Sequence, residues 1–224
     1  MIKSVTDRLT NIRLDNVIPD VFSNEDIGYS QIWLSDFCFE RGRHYMIEAA
    51  SGSGKSSLCS FIYHNRSDYR GNIFYNDINA RSLDASAISD LRCRHLALLP
   101  QELRLFGELT ALDNVKLKNR LTGYLSDEKI KDMFDLLGIA DRINHPASML
   151  SIGQMQRVAI IRALCQPFDF IILDEPVSHL DETNNRIVGK LIYDAAMAQS
   201  ASIIITSVGN RLALPTDDVI NVRL

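Results

Sequence analysis

No apolar run in the 224 residues approaches the roughly 18 to 20 needed to span a bilayer, and the start, MIKSVTDRLTNIRLDN, has no apolar h-region for export. Both absences lead us to expect a soluble, cytoplasmic chain. The four cysteines, Cys38, Cys59, Cys93 and Cys165, form no CxxC pair, and three sit among apolar neighbours. They are expected to be small core-filling residues in a reducing compartment rather than metal ligands or a disulfide scaffold. Basic charge is not in excess: 24 Lys and Arg stand against 28 Asp and Glu, a formal net charge of -4. That balance excludes the usual basic surface, and no nucleic-acid partner is expected. Low-complexity segments, internal repeats and charge blocks are missing too, so organisation has to be read from periodicity and breakers.

At about 150 residues per domain, the length means one large domain or a core with a smaller inserted lobe. Short strands are predicted at Asn11 to Val17, Gln31 to Glu40, Tyr45 to Ala49 and Asn72 to Asn76, the last after a turn at Gly71. From about Leu105 to Leu150 the texture becomes helical. Ser126 has N-cap chemistry with acidic residues behind it, and Ile130, Met133, Phe134 and Leu137 share one face before Gly138. Ser151 to Leu164 is a further helix, and Asp181 to Met197 another, with Ile187, Leu191 and Ala195 spaced for burial. Phe170 to Leu173 and Ala201 to Thr206 are wholly apolar runs of the kind buried on both faces, and Val219 to Leu224 fits an edge strand. Strands alternating with helices predict an α/β fold with a parallel sheet.

One strand runs straight into AASGSGKSS, Ala49 to Ser57, and then into a helix from Leu58 to His64. Gly52 and Gly54 let backbone N–H groups curl around an anion, and the helix start adds positive partial charge. Ser51, Ser53 and Ser57 complete the phosphate-holding stretch. Lys55 supplies a cation for β- and γ-phosphates, and the Ser56 hydroxyl is placed to coordinate Mg²⁺. Ala49 stands where GxxxxGK[ST] has its first glycine, which requires a negative φ there. Downstream, Phe170 to Leu173 lead at once into Asp174, Glu175 and Pro176. An acid at the end of a buried parallel strand emerges where open α/β sheets bind ligands. Asp174 is thus the candidate metal carboxylate, and Glu175 the general base for an attacking water.

Between these motifs stands LSIGQMQR, Leu150 to Arg157, which resembles the LSGGQ signature of ATP-binding cassette (ABC) ATPases. Ser151 and Gly153 open a helix, so a hydroxyl and free N–H groups face a possible anion. Three further positions agree in order: Gln101 in LLPQE resembles the Q-loop, SHLD from Ser178 to Asp181 resembles the D-loop, and Gly71, Ile73 and Asn79 lie in a matching strand-turn segment. The resemblance runs from about Leu14 to the C-terminus. It implies a P-loop NTPase (RecA-like) core with an antiparallel β subdomain and an inserted α-helical subdomain. One ATPase domain would fill 1–224, with its core at about 1–101 and 151–224 and the insert at about 102–150.

The resemblance also implies roles. Ser56, Gln101 and Asp174 would organise Mg²⁺, while Ser151, Gly153 and Gln154 would act on the ATP of the partner subunit, with Asp181 near the opposite phosphate loop. The expected cofactors are ATP and Mg²⁺. The expected function is an ATP-hydrolysing subunit, a homo- or heterodimer closed by ATP, driving a separate integral membrane permease from the inner face of the membrane. LTALDNV, Leu109 to Val115, looks most like lipoprotein-release, macrolide-export and cell-division ATPases.

Two departures bear on rate. Ser207 follows Thr206 where the family places its switch histidine, and a serine is shorter and carries no charge at neutral pH. Loss of one transition-state donor is worth roughly a hundred- to a thousandfold in rate, so slow turnover by the isolated chain is expected. Ile152 replaces a signature glycine at the subunit contact. For the aromatic that stacks on adenine, Phe22 matches best by position, with Val21 and Tyr29 as rivals. A regulatory or scaffolding dimer of low turnover is the alternative function. A metabolite kinase would leave LSIGQ and SHLD unexplained.

Overall fold

The computed structural model describes residues 8–22 and 29–224. Among these residues nine strands form two sheets, and six α-helices surround them. The antiparallel sheet has β1 (Asn11–Pro19) between β2 (Asp36–Glu40) and β4 (Tyr69–Tyr75), with the short β5 (Ile78–Asn79) beyond β4. The second sheet runs β6 (Leu96–Leu99), β7 (Phe170–Asp174), β8 (Ser202–Ser207), β3 (His44–Glu48), β9 (Val219–Arg223), all pairs parallel. Val219–Arg223 is an edge strand, as the sequence predicts.

The central strands read as unbroken apolar runs because successive side chains point to opposite faces and both faces are covered. Ile171 and Leu173 enter a core shared with Ile203 and Ile205, whereas Phe170 and Ile172 enter a second one with Ile204 and Ile47. The second core is closed by α1 (Lys55–Ile62), through Leu58, Phe61 and Ile62, and by Ile12, Leu14 and Ile73 of the antiparallel sheet. That sheet carries a bulge on β1 between Asp15 and Ile18, and β4 crosses it closely. At Gly71, with φ at 86°, a Cβ would lie 2.3 Å from the Asn16 carbonyl oxygen, so only glycine fits.

The first core continues into the helical segment. There α3 (Ala111–Asn119) and α4 (Asp127–Leu136) pack on α5 (Ile152–Leu164). Ser126 caps α4 by accepting from the Lys129 N–H at 3.3 Å, and Ile130, Phe134 and Leu137 are buried, as predicted. Buried Asn114 ties the loop before α3, its side chain bonding both the N–H and the carbonyl of Phe106.

Four readings of detail need correction. Gln31 to Ser35 is not strand: Ser30 Oγ accepts from the N–H groups of Ile32 and Trp33, and Leu34 is left-handed, so pairing begins at Asp36. The phosphate-loop helix starts at Lys55, three residues early, because Gly54 supplies the left-handed entry. On α6 (Glu182–Met197) the buried stripe is Val188, Ile192 and Ala196, one residue on from that expected; Ile187, Leu191 and Ala195 flank it half-buried. Of the cysteines, Cys59 and Cys165 are buried, with burial pushing the Cys165 thiol up to about 12, but Cys38 is exposed. Helix α2 (Ala85–Arg94) has no counterpart among the predicted elements, since it buries only Ala87 and Leu91.

Candidate functional site

Parallel register brings four carboxyl ends to one edge: Glu48 lies beside Ser207, Asp174 beside Thr206, and Leu99 beside Leu173. The loop after β3 enters α1 through Gly54, with φ at 94°, and Gly52 at 81°. No side chain caps α1, so its first N–H groups remain for another acceptor. Ala49 has no positive φ, which meets the condition for its replacing glycine.

Lys55 is only 5% exposed. Its Nζ donates to the carbonyls of Ala49 and Ala50 at 3.0 and 2.8 Å, and among the described residues it forms no ion pair. A buried ammonium without an anion is costly, and the left-handed glycines beside it make room for one. A cleft of about 280 Å³ opens here, lined by Phe22, Ser51, Gly52, Gly54, Lys55, Ser56, Ser57, Gln101 and Glu175. Ser53 lies outside that lining. Among the rivals for an aromatic or apolar wall, Phe22 is in the cleft, whereas Val21 and Tyr29 are exposed and do not line it.

Gln101 spans the cleft. Its Oε1 accepts from Ser56 Oγ at 3.4 Å and its Nε2 donates to Glu175 Oε2 at 3.3 Å, both long contacts. Asp174 is buried, and Thr206 Oγ1 donates to its Oδ1 at 2.7 Å; no other described donor reaches it. Glu175, next along, is half-buried and left-handed at φ 51°, with its N–H held by the Thr206 carbonyl. Such strain turns the chain sharply off the strand and is characteristic of functional positions. Ser207 is buried, and its hydroxyl donates to the Asn210 carbonyl at 2.7 Å. A small cavity of about 60 Å³ separates it from Glu175, bounded also by Ser178, Val208 and Asn210.

Ser151, Gly153, Gln154 and Asp181 are not brought to this cleft. Ser151 is the N-cap of α5 in a reciprocal capping box with Gln154. Ile152 beside them is 47% exposed. Asp181 caps α6, accepting from the Asn184 N–H and side chain at 2.8 Å each, and these donors hold its carboxyl below the usual range. The two helix starts do meet: a Cβ on Gly153 would lie 3.1 Å from the His179 carbonyl oxygen.

Sequence reasoning overlooked three contributors. Gln156, buried in α5, donates to the backbone carbonyls of Glu175 and Pro176 and accepts from the His179 N–H, so it ties the backbone at Glu175 to α5. Its place two residues after Gln154 was the available signal. Thr206 acts across the pairing of β7 with β8, and Trp33 acts from the turn before β2 onto the loop after β3; both contacts join segments distant in sequence, which no local motif announces. A second groove, about 380 Å³, lies between the sheet and the helical segment. Phe106, Leu117 and Leu121 line it with Arg104, Lys118 and Arg162, and no acid does.

A family model described as ABC transporter matches residues 34–178. Among curated proteins, the macrolide export ATP-binding/permease protein MacB of Bartonella henselae is 33% identical over 186 residues, 82% of this chain but 28% of that protein. The chain therefore spans under a third of such relatives. The lipoprotein-releasing system ATP-binding protein LolD of Treponema denticola is 30% identical over 185 residues, 81% of this chain and 82% of that protein. Among solved structures, the dimeric structure of MJ0796, a bacterial ABC transporter cassette, superposes with a TM-score of 0.79 at 25% identity, covering 95% of this chain and 94% of that one.

Proposed function

The chain belongs to the ABC transporter family, and on that footing we propose that it is an ATP-binding subunit that hydrolyses MgATP in a nucleotide-sandwich dimer to power a separate membrane permease. The observation that carries this reading is buried Lys55, an unpaired cation set among left-handed glycines at a free helix start. A triphosphate supplies the missing anion and takes up the orphan N–H groups.

In this reading Gly52, Gly54, Lys55, Ser56 and the loop backbone hold the phosphates, with Ser51, Ser53 and Ser57 completing the loop and Phe22 beside the base. Ser56 Oγ, Gln101 Oε1 and the Asp174 carboxylate are all hard oxygen donors, a set that suits Mg²⁺ together with phosphate oxygens. Bound Mg²⁺ would neutralise charge on the β- and γ-phosphates. Glu175 takes the proton of a water attacking the γ-phosphorus, and Gln101, already bonded to that carboxylate, orients the pair. Ser151, Gly153 and Gln154 act on the ATP of a second subunit, with Asp181 near its phosphate loop. That the signature residues stand outside the chain's own cleft supports the dimer.

We read 1–224 as one ATPase domain, with core 1–101 and 151–224 and a helical insert at 102–150. Among the described residues no helix is long and apolar enough to cross a membrane. A permease would therefore hold the chain at the inner face of the membrane, docking in the groove of Phe106, Leu117 and Leu121. Recovery of the native protein from membranes with an integral membrane partner, together with Mg²⁺-dependent ATP turnover, is the expected result; recovery from the soluble fraction alone counts against transport. One observation favours the second reading, a dimer of low turnover: Ser207 Oγ is spent on the Asn210 carbonyl rather than aimed at the cleft.

A further inference from the structure

Trp33 belongs to none of the motifs above, yet it touches the phosphate loop. It sits in the turn before β2, buried at 4% exposure. Ser30 Oγ accepts from its N–H at 2.8 Å, and the Leu34 N–H is held by the Val17 carbonyl, so the turn is fixed from both sides. The indole packs edge-on to Phe61 of α1, with centroids 6.4 Å apart. Its Nε1–H donates to the Ser53 carbonyl at 3.2 Å. Its Cζ2 and Phe22 Cε2 would lie 3.2 and 3.1 Å from a Cβ at Gly54.

A peptide unit is planar and trans, so the Ser53 carbonyl and the Gly54 N–H point in opposite directions. Drawing the carbonyl toward Trp33 turns the N–H away from it. Gly54 lines the cleft and Ser53 does not. We propose that Trp33 is a positioning residue for the phosphate loop, its indole N–H fixing the Ser53–Gly54 peptide so that the Gly54 N–H is presented to phosphate, while its ring and Phe22 crowd position 54, whose left-handed φ already favours glycine. The inference rests on reading the cleft as the ATP site.

Trp33 is the only tryptophan of the chain, so its emission reports this loop without labelling. In the full chain, equilibrium dialysis of MgATP measures Kd for wild type and for Trp33→Phe, which keeps the ring packing and removes the donor. The expected result is a Kd about fivefold higher in the variant, the size of one lost neutral hydrogen bond, with the loss in turnover falling on KM rather than kcat. In wild type, Trp33 emission should change during MgATP titration with the midpoint found by dialysis. A core tryptophan with no role in the loop would lower thermal stability and leave Kd and KM alone. An unchanged Kd in folded Trp33→Phe overturns the inference; if the variant does not fold, emission that stays flat while wild type binds MgATP overturns it. Failure of wild type to bind MgATP at all overturns the ATP-site reading and this inference with it.

Discussion

The loop after β3 and the loops after β7 and β8 leave one edge of the same parallel sheet, yet the first is secured and the other two are not. Around the phosphate loop the fixing groups are buried and closely bonded: Lys55 on two carbonyls, Trp33 on a third, and aromatic rings against Gly54. At the proposed turnover end, Glu175 is strained and half-buried, and among the described residues its carboxylate is touched only by a long contact from Gln101. Ser207 is turned back onto its own loop. Holding phosphate needs backbone N–H groups that one chain folds into place. Hydrolysis needs a base, a water and donors aligned within tenths of an ångström, and the signature residues that would complete them lie outside the chain's own cleft. On the proposed function, the difference teaches that this chain is prepared for binding and would wait on a second subunit for chemistry.

Substitutions at the two ends break or sharpen that contrast. Glu175→Gln should lower kcat by about 10²- to 10⁴-fold, the usual worth of a positioned general base, while leaving the Kd for ATP within about twofold. Single-turnover hydrolysis checks it, and an unchanged rate removes Glu175 from the role of base. Ser207→His should act in the opposite direction, raising steady-state turnover by about a hundred- to a thousandfold if the short side chain is what limits the rate. The cavity of about 60 Å³ beside Ser207 is where the imidazole would go. Fast hydrolysis by the unaltered chain would show that no such deficit exists.

At the binding end, Lys55→Ala should raise the Kd for MgATP by about 10- to 150-fold, the loss of one charged hydrogen bond, with binding read by dialysis. An effect concentrated in kcat instead would move Lys55 to the other side of the contrast. The smallest effect concerns Asp181. Its carboxyl is held low by the Asn184 N–H, so its charged form stabilises the fold at neutral pH, and that contribution is lost as pH falls through the lowered pKa. Asp181→Asn keeps a capping oxygen without the titration. Wild type should be modestly more stable at neutral pH, and urea melts at stepped pH should show the gap beginning to close below about pH 4.

Most of the site could be read from sequence because its chemistry is local. A strand end, two glycines, a lysine and a serine are consecutive, and Phe170 to Glu175 carries its meaning in the alternation of one strand followed by two acids. Capping was legible at Ser126 for the same reason, its hydroxyl accepting from a backbone N–H three residues on; Ser151 and Asp181 make the same bond where no cap was expected. What escaped depends on relations that no single segment encodes. The buried α6 stripe lies a residue on from the expected one, on the side where the segment at Ala213 closes on the helix: its N–H donates to Asn185 Oδ1, and a Cβ at Gly189 would lie 2.0 Å from its carbonyl oxygen. Helix α2, weakly apolar, carries little periodicity. Gln156 and Thr206 look like any polar residue in a helix or strand until the neighbouring element is in place.

By itself the sequence determined the fold class, the phosphate loop, the two carboxylates and the order of the motifs, since each follows from periodicity or from chemistry within a few consecutive residues. Only the tertiary structure decided which groups share a cleft and how well each is held. It put Trp33 against Gly54, Thr206 on Asp174 and Gln101 between Ser56 and Glu175, and it left Ser151 and Gly153 outside. The physical reason is register: a parallel sheet aligns carboxyl ends contributed from far apart in the chain, and a hydrogen bond across that edge is settled by the pairing of strands, not by the residues on either side in sequence.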